Sequence, residues 1–472
     1  MDEDVLYSTI PELGRLLTEH ALTSRELTEA YLKRLRELGP RFNSVARLTE
    51  ETALSQADAA DRLFQQGRLE GPLQGIPFAV KDLLAARGYV TSWGSEVFRD
   101  QQFDFDATVV RKLAHARGVL AAKLAMVRFA GGGGYEHPTE SLHGPGRNPW
   151  NPDYWAGGSS SGSGSAVAAA MVPFAIGSET WGSIVGPCSY CGVTGLRSTY
   201  GLVSRSGAMA LSWTMDKLGP MCRSAEDCAL VLEAISGPDG DDPSQSGRRF
   251  RADGPAPPAS MLRVGYSEVD FEEWAHPDSR PALREALEVL RDTGAQMKPA
   301  SLPEMPYRDV ARTLISCEAA SVFEDVIRSE AFEKHPDPSQ KKGLRRGLGI
   351  PATDYLKAMR IRRVMQGKLA EFFEKVDIVV QPASAETAPL IEEVPGTRRS
   401  SNLKLADKGN TDLGAAGNVA GLPALTIPCG FGLNNLPTAL QLVSRPHNEA
   451  ALISLGKEFQ KRTDWHRQRP LV

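Results

Sequence analysis

The period of the apolar positions changes several times along the chain, and each change predicts an element. Thr23 and Glu26 form a capping box that opens a run with apolar residues every three to four positions, ending at Gly39-Pro40. A second helix is predicted from about Glu50 to the Gln65-Gln66-Gly67 stop. Ile76-Pro-Phe-Ala-Val-Lys81 then reads as a short buried strand that delivers a lysine at its C-terminal edge. A helix over 106–118, a strand over 119–123 and a glycine stretch at 131–134 continue an alternating pattern. In the middle, the Gly/Ser-rich stretch 157–165 leads into an Ala-rich helix at 166–171, a strand at 173–176 and a loop at 177–183. Ser224 and Asp227 cap a helix that stops at Gly237-Pro238, and the polar stretch 239–258 is the longest predicted loop. Strands are expected at 263–266, 376–381, 425–428 and 438–443, with mainly helix from 303 to 375 and a final helix at 448–462. The nine residues 157–165 lie between strand and helix patterns, which suits a close turn better than a tether.

A chain of 472 residues sets a prior of about three domains. The 41% apolar fraction and 44 glycines are enough for a sizeable core. Basic and acidic residues nearly balance, 54 against 58, for a net charge of −4. That balance argues against nucleic-acid binding, which needs a basic surplus to displace counterions. The basic runs Lys341-Lys342 with Arg345-Arg346, and Arg360-Ile-Arg-Arg363, read as solvated helix faces. The eight histidines, at 20, 115, 137, 143, 276, 335, 447 and 466, form no close ligand pair, so neither a metal nor a cofactor is expected. Cys188 and Cys191 form a C-x-x-C without a matching second pair, and packed thiols are the better reading. The longest apolar stretch, 166–176, is eleven residues and contains Pro173, far short of a membrane span. Opening MDEDVLY without a signal-peptide pattern, the chain is expected to be soluble and cytoplasmic.

Three segments could carry chemistry. Gly158-Ser159-Ser160-Ser161-Gly162 is a literal G-x-S-x-G, which would make Ser160 the nucleophile of a Ser–His esterase. The residues before it, Asn-Pro-Asp-Tyr-Trp-Ala, make a poor strand, which counts against that elbow. Lys81 at the end of an apolar strand reads either as a solvated lysine or as a desolvated one whose lowered pKa makes it a base. The 177–183 loop ends in Gly182-Ser183; its N–H groups could converge on an oxyanion and its hydroxyl could attack a carbonyl.

Taken in order, G-I-P-F-A-V-K-D, G-G-S-S-S-G-S and S-E-T-W-G-S-I-V strongly resemble the amidase signature family of serine hydrolases. Phe129-Ala130, the run 144–151, the segments 192–204 and 216–220, and the C-terminal stretches 418–423, 441–446 and 463–467 extend the resemblance over most of the chain, least between about 240 and 410. The resemblance implies one α/β domain over 1–472, a central mixed β-sheet surrounded by helices: N-terminal helices 1–70, a signature core of about 71–238, a variable pocket region of about 259–375 and a C-terminal core segment 376–472. It implies Ser183 as nucleophile, Ser159 as bridging serine 24 positions earlier, and Lys81 as base. The oxyanion hole would come from the backbone of Thr180, Trp181, Gly182 and Ser183, with a cis peptide before the bridging serine. Trp181, Gly132, Gly133 and Phe129 are the pocket candidates. Phe323, Phe332, Tyr355, Met359 and Met365 fit either an apolar cleft or plain core packing.

Several positions depart from the commonest family pattern: Trp181 stands for Gly, Glu179 for Asp, Val185 for Arg, Ser161 for Gly and Arg197 for Lys. The S-E-T-W-G-S-I-V form resembles the peptide-amidase-like branch. The A subunit of the tRNA-dependent glutamine amidotransferase, which needs partner subunits, is the alternative. That subunit carries E-V-x-R-R-I-x-G and an Asp seven residues before the Asn of N-x-A-G-L-P. Here the first region reads Arg345-Arg-Gly-Leu-Gly-Ile-Pro351, and position 411 is Thr with Asp412 beside it. A stand-alone amidohydrolase, monomer or homodimer, is therefore expected to act on a small amide, anilide or carbamate, with urethanase or esterase side activity and no cofactor.

Overall fold

The computed structural model describes residues 1–134, 141–392 and 409–472, so His137 lies outside the described residues. Thirteen strands occur among them: β1 Val45–Leu48, β2 Pro77–Lys81, β3 Val119–Leu124, β4 Arg147–Asn148, β5 Asn151–Trp155, β6 Phe174–Glu179, β7 Thr194–Arg197, β8 Lys217–Cys222, β9 Arg263–Tyr266, β10 Gln296–Pro299, β11 Ile378–Pro382, β12 Ala424–Phe431 and β13 Pro437–Ser444. Eleven form one sheet, in the order β1-β3-β2-β6-β8-β7-β12-β13-β11-β9-β10; β4 and β5 pair apart from it. The sheet is mixed: β2 lies parallel to β3 and β6, whereas β8, β7, β12 and β13 run antiparallel to their neighbours. Helices cover it, as the α/β pattern predicts.

The predicted strands at Lys81 and before the 177–183 loop are present and buried along their whole length. Both are apolar runs without alternation because both faces of the sheet are covered. The Thr23/Glu26 capping box opens the helix Ser24–Phe42, which runs through Gly39-Pro40 and stops at Asn43 in the left-handed region, three residues beyond the predicted end. The Ala-rich helix starts earlier than predicted, at Ser161. Its small residues have a packing reason: a Cβ on Gly162 would lie 2.3 Å from the Ser44 carbonyl oxygen and 2.7 Å from the Ala125 nitrogen. Between 303 and 375 the main helices are Tyr307–Val322, Pro338–Leu348 and Ala352–Phe373. No helix among the described residues is long and apolar enough to cross a membrane. All six cysteines are free, and burial pushes the thiols of Cys188 and Cys191 well up, in line with packed thiols.

Candidate active site

Parallel pairing places the C-terminal ends of β2 and β6 side by side, with Val80 opposite Ile176. Lys81 ends the first strand, and Ser178 and Glu179 end the second. The Lys81 ammonium is fully buried and donates to the Ser159 hydroxyl at 2.7 Å and the Ser178 hydroxyl at 2.9 Å. Burial brings its pKa down to about 7; the charges of Asp216 and Glu179 pull it back up only in part. Its chain neighbour Asp82 faces the other way and pairs with buried Lys123 at 2.9 Å. That alternation spares Lys81 a carboxylate that would hold its proton.

Ser159 is held by its backbone. The Gly158–Ser159 peptide is cis, the Ser159 carbonyl accepts from Val127 N–H at 3.1 Å, and Gly162 N–H reaches Ala125. Ser160, the residue of the G-x-S-x-G alternative, points elsewhere: its hydroxyl donates to the Ser178 carbonyl at 3.2 Å and accepts from the Ser178 N–H. The residues before it do contain a strand, β5, correcting the sequence expectation. That strand belongs to the separate two-stranded ribbon and not to the main sheet.

Ser183 sits at the end of the turn that leaves β6, 6% exposed at the floor of a cleft of about 810 Å³. Gly182 has φ +82°, a left-handed turn that folds the loop back. The N–H groups of Trp181, Gly182 and Ser183 donate to no acceptor among the described residues. The next two, on Ile184 and Val185, go to the Glu179 carboxylate at 2.9 and 3.0 Å. Glu179 also accepts from Arg197 at 2.7 Å and Asn418 at 2.9 Å. Despite its burial, this pairing holds the Glu179 carboxyl down to about 2. The two departures noted in the sequence, Glu179 and Arg197, thus form one fully buried ion pair. It clamps the loop that carries Ser183. Thr180 is fixed through its hydroxyl, 2.6 Å from Asp216. No hydrogen bond joins Ser159 to Ser183, so the lysine–serine link of the expected relay is closed and the serine–serine link is open. Such contacts often tighten only with substrate bound.

Of the pocket candidates, Trp181 and Gly133 line the cleft together with Ala130, Gly131 and Gly134. Phe129 does not: its ring is buried against Phe98, Phe323 and His335. Gly132 does not line the cleft; a Cβ there would meet the Leu211 side chain and the Phe129 carbonyl oxygen. Phe323, Phe332 and Met365 are core residues, and neither Tyr355 nor Met359 lines the cleft. The apolar-cleft reading of that region is therefore corrected. Helix-borne Asp309, Arg312, Arg346 and Asp354 form the rim instead. Sequence reasoning gave no role to Ser178, although it opens the S-E-T-W-G-S-I-V motif, and read Arg346 as part of a solvated helix face, which is exposed as expected but lies at the cleft. Their roles follow from strand register and helix packing.

A site of this construction defines a class, the serine hydrolases that act on amides. The chain belongs to the amidase family, whose model matches residues 26–453. Its curated relatives include the A subunits of two glutamyl-tRNA(Gln) amidotransferases. That of Moorella thermoacetica is 35% identical with 99% of each chain covered, and that of Chloroflexus aurantiacus is 35% identical with 98% covered. Among solved structures, the native peptide amidase of Stenotrophomonas maltophilia superposes with a TM-score of 0.83 at 30% identity, covering 97% of each chain. A protein of a vestigial complex linked to the origins of an s-triazine catabolic enzyme reaches 0.85 at 30% identity, covering 96% of this chain and 98% of its own.

Proposed function

We propose that this protein is an amidohydrolase that cleaves small amides through an acyl-enzyme on Ser183. The observation that carries the reading is a fully buried lysine 2.7 Å from the Ser159 hydroxyl with a pKa near 7. At neutral pH a large share of Lys81 is free base. Neutral Lys81 takes the Ser159 proton as Ser159 takes that of Ser183, and Ser183 Oγ attacks the carbonyl. The free N–H groups at 181–183 receive the oxyanion. Ser159 returns a proton to the leaving amine, which departs, and water repeats the relay to release the acid. Ser178, the second acceptor of the Lys81 ammonium, orients the base.

Action without partner subunits is supported by position 411. Threonine stands there in place of the Asp of the amidotransferase A subunit, and the neighbouring Asp412 carboxylate is engaged by Arg308. The charged rim favours polar over long-chain lipid amides; carbamates share the same acyl-transfer step. The test is hydrolysis of acetanilide, a primary amide and an aryl carbamate by the purified single chain, with Ser183→Ala as control. Turnover by the wild type and none by the variant supports the reading. Turnover that appears only with added amidotransferase partner subunits would assign the chain to the complex-dependent alternative.

A further inference from the structure

A second cavity of about 610 Å³ lies behind the oxyanion loop. Its walls include Tyr190, Trp274, Arg308 and Thr411. The Ser183 cleft and this cavity have one lining residue in common, Trp181. The indole is half-buried and reaches from the loop to the helix Leu413–Ala420, where a Cβ on Gly414 would sit 3.6 Å from its Nε1. Arg308 faces the second cavity and Asp309 the Ser183 cleft, so the start of the helix Tyr307–Val322 continues the same partition. Trp181 is not among the residues with positive φ, so its backbone accepts any side chain. The large ring is therefore not a requirement of the loop's conformation.

We propose that Trp181 is the specificity-determining residue of this enzyme. Its indole is the wall that confines the acyl part of the substrate to the Ser183 cleft and keeps it out of the second cavity. This rests on the reading of Ser183 as the nucleophile. With the wall in place, the enzyme takes amides of short or compact acids. Without it, the two spaces join behind Gly182, and acids with an extended polar chain fit. The buried charges and amides of the second cavity, with Arg308 at its edge, suit a hydrogen-bonding chain better than a hydrocarbon one.

The experiment compares anilides of acetic, glycolic, succinamic and glutaramic acids, with aniline as the constant leaving group. For the wild type, kcat/KM is expected to fall at least tenfold from acetyl to glutaramyl. Trp181→Gly and Trp181→Ala should reverse or abolish that ratio, and Trp181→Phe should preserve it, whatever the absolute rates. A ratio unchanged in the Gly and Ala variants overturns the proposal. Binding gives an independent readout. In the Ser183→Ala background, adding Trp181→Ala should tighten the dissociation constant of glutaramate about tenfold and leave that of acetate within twofold. If Ser183→Ala hydrolyses as the wild type does, the underlying reading fails, and the binding comparison still decides the role of the wall.

Discussion

The floor and the rim of the Ser183 cleft are built from different materials. The floor comes from the ends of β2 and β6 and the two serine-bearing turns. The charges that support it, Lys81 beneath the serines and Glu179 with Arg197 behind the loop, are fully buried, and each is held by named partners at 2.7–3.0 Å. The rim comes from the helices between 307 and 373. Its charges, Asp309, Arg312, Arg346 and Asp354, are exposed and make no ion pair among the described residues. Charge in a dry, fixed setting acts strongly and on every substrate, whereas charge in water is screened and acts only on a substrate that brings its own. Floor substitutions should therefore lower kcat for all substrates, and rim substitutions should move KM for some.

The largest effects are expected on the floor. Ser183→Ala should lower kcat by about 10⁴–10⁶, as the loss of a nucleophile does in other serine hydrolases, with the fold intact by circular dichroism. Residual activity within tenfold of wild type would remove Ser183 from its role. Next is the clamp. Glu179→Gln leaves the buried Arg197 without its anion and offers one acceptor oxygen where two now receive four donors. Loosening a preorganised oxyanion loop should cost about 10²–10³ in kcat. Leaving a buried charge unpaired should also cost about 3–5 kcal/mol of stability, measurable by urea unfolding. A stability loss with kcat unchanged would make the pair purely structural.

The clamp also shows what could be read from the chain alone. Lys81, Ser159 and Ser183 stood out in the sequence through the family resemblance of the short segments that hold them. The strand that ends in Lys81 reads as a continuous apolar run. Thr194–Arg197 and Lys217–Cys222 were not legible as strands: each is short, mixed in composition and buried on both faces, so neither period appears. Glu179 and Arg197 were visible as two separate oddities. Their contact is a product of tertiary packing, because β6 and β7 each pair with β8 and are not adjacent. The same holds for Arg346, whose helix lies against the glycine loop: a Cβ on Gly343 would meet the Gly133 carbonyl oxygen at 1.8 Å. Two glycines more than 200 residues apart allow that approach, and neither announces it.

The pH profile gives a smaller but sharper test of the floor. Burial lowers the Lys81 pKa to about 7, and in the proposed relay the neutral amine is the active form. Its fraction grows as protons are removed, so kcat/KM should rise with pH, tenfold per unit well below 7, and level off above it. A mild rim variant such as Arg346→Gln should leave the midpoint within a few tenths of a unit because water and ions screen its charge. A rate that peaks near pH 6 and then falls would rule out a lysine base.

The smallest effects belong to the rim, and they separate the two regions most directly. Arg346 is exposed at the cleft mouth and not paired with any described carboxylate, so it is free to meet a substrate anion. Exposed ion pairs contribute up to about 1 kcal/mol, a factor of about five. Arg346→Ala should therefore raise KM about three- to fivefold for an anionic amide of a short acid such as 4-acetamidobenzoate and leave kcat within twofold. For neutral acetanilide both constants should stay within twofold. Added salt should shrink the difference between the two substrates in the wild type and have little effect in the variant. If Arg346→Ala instead lowered kcat equally for neutral and anionic substrates, the rim would be supporting the glycine loop and through it the floor, and the division between the two regions would fail at that helix.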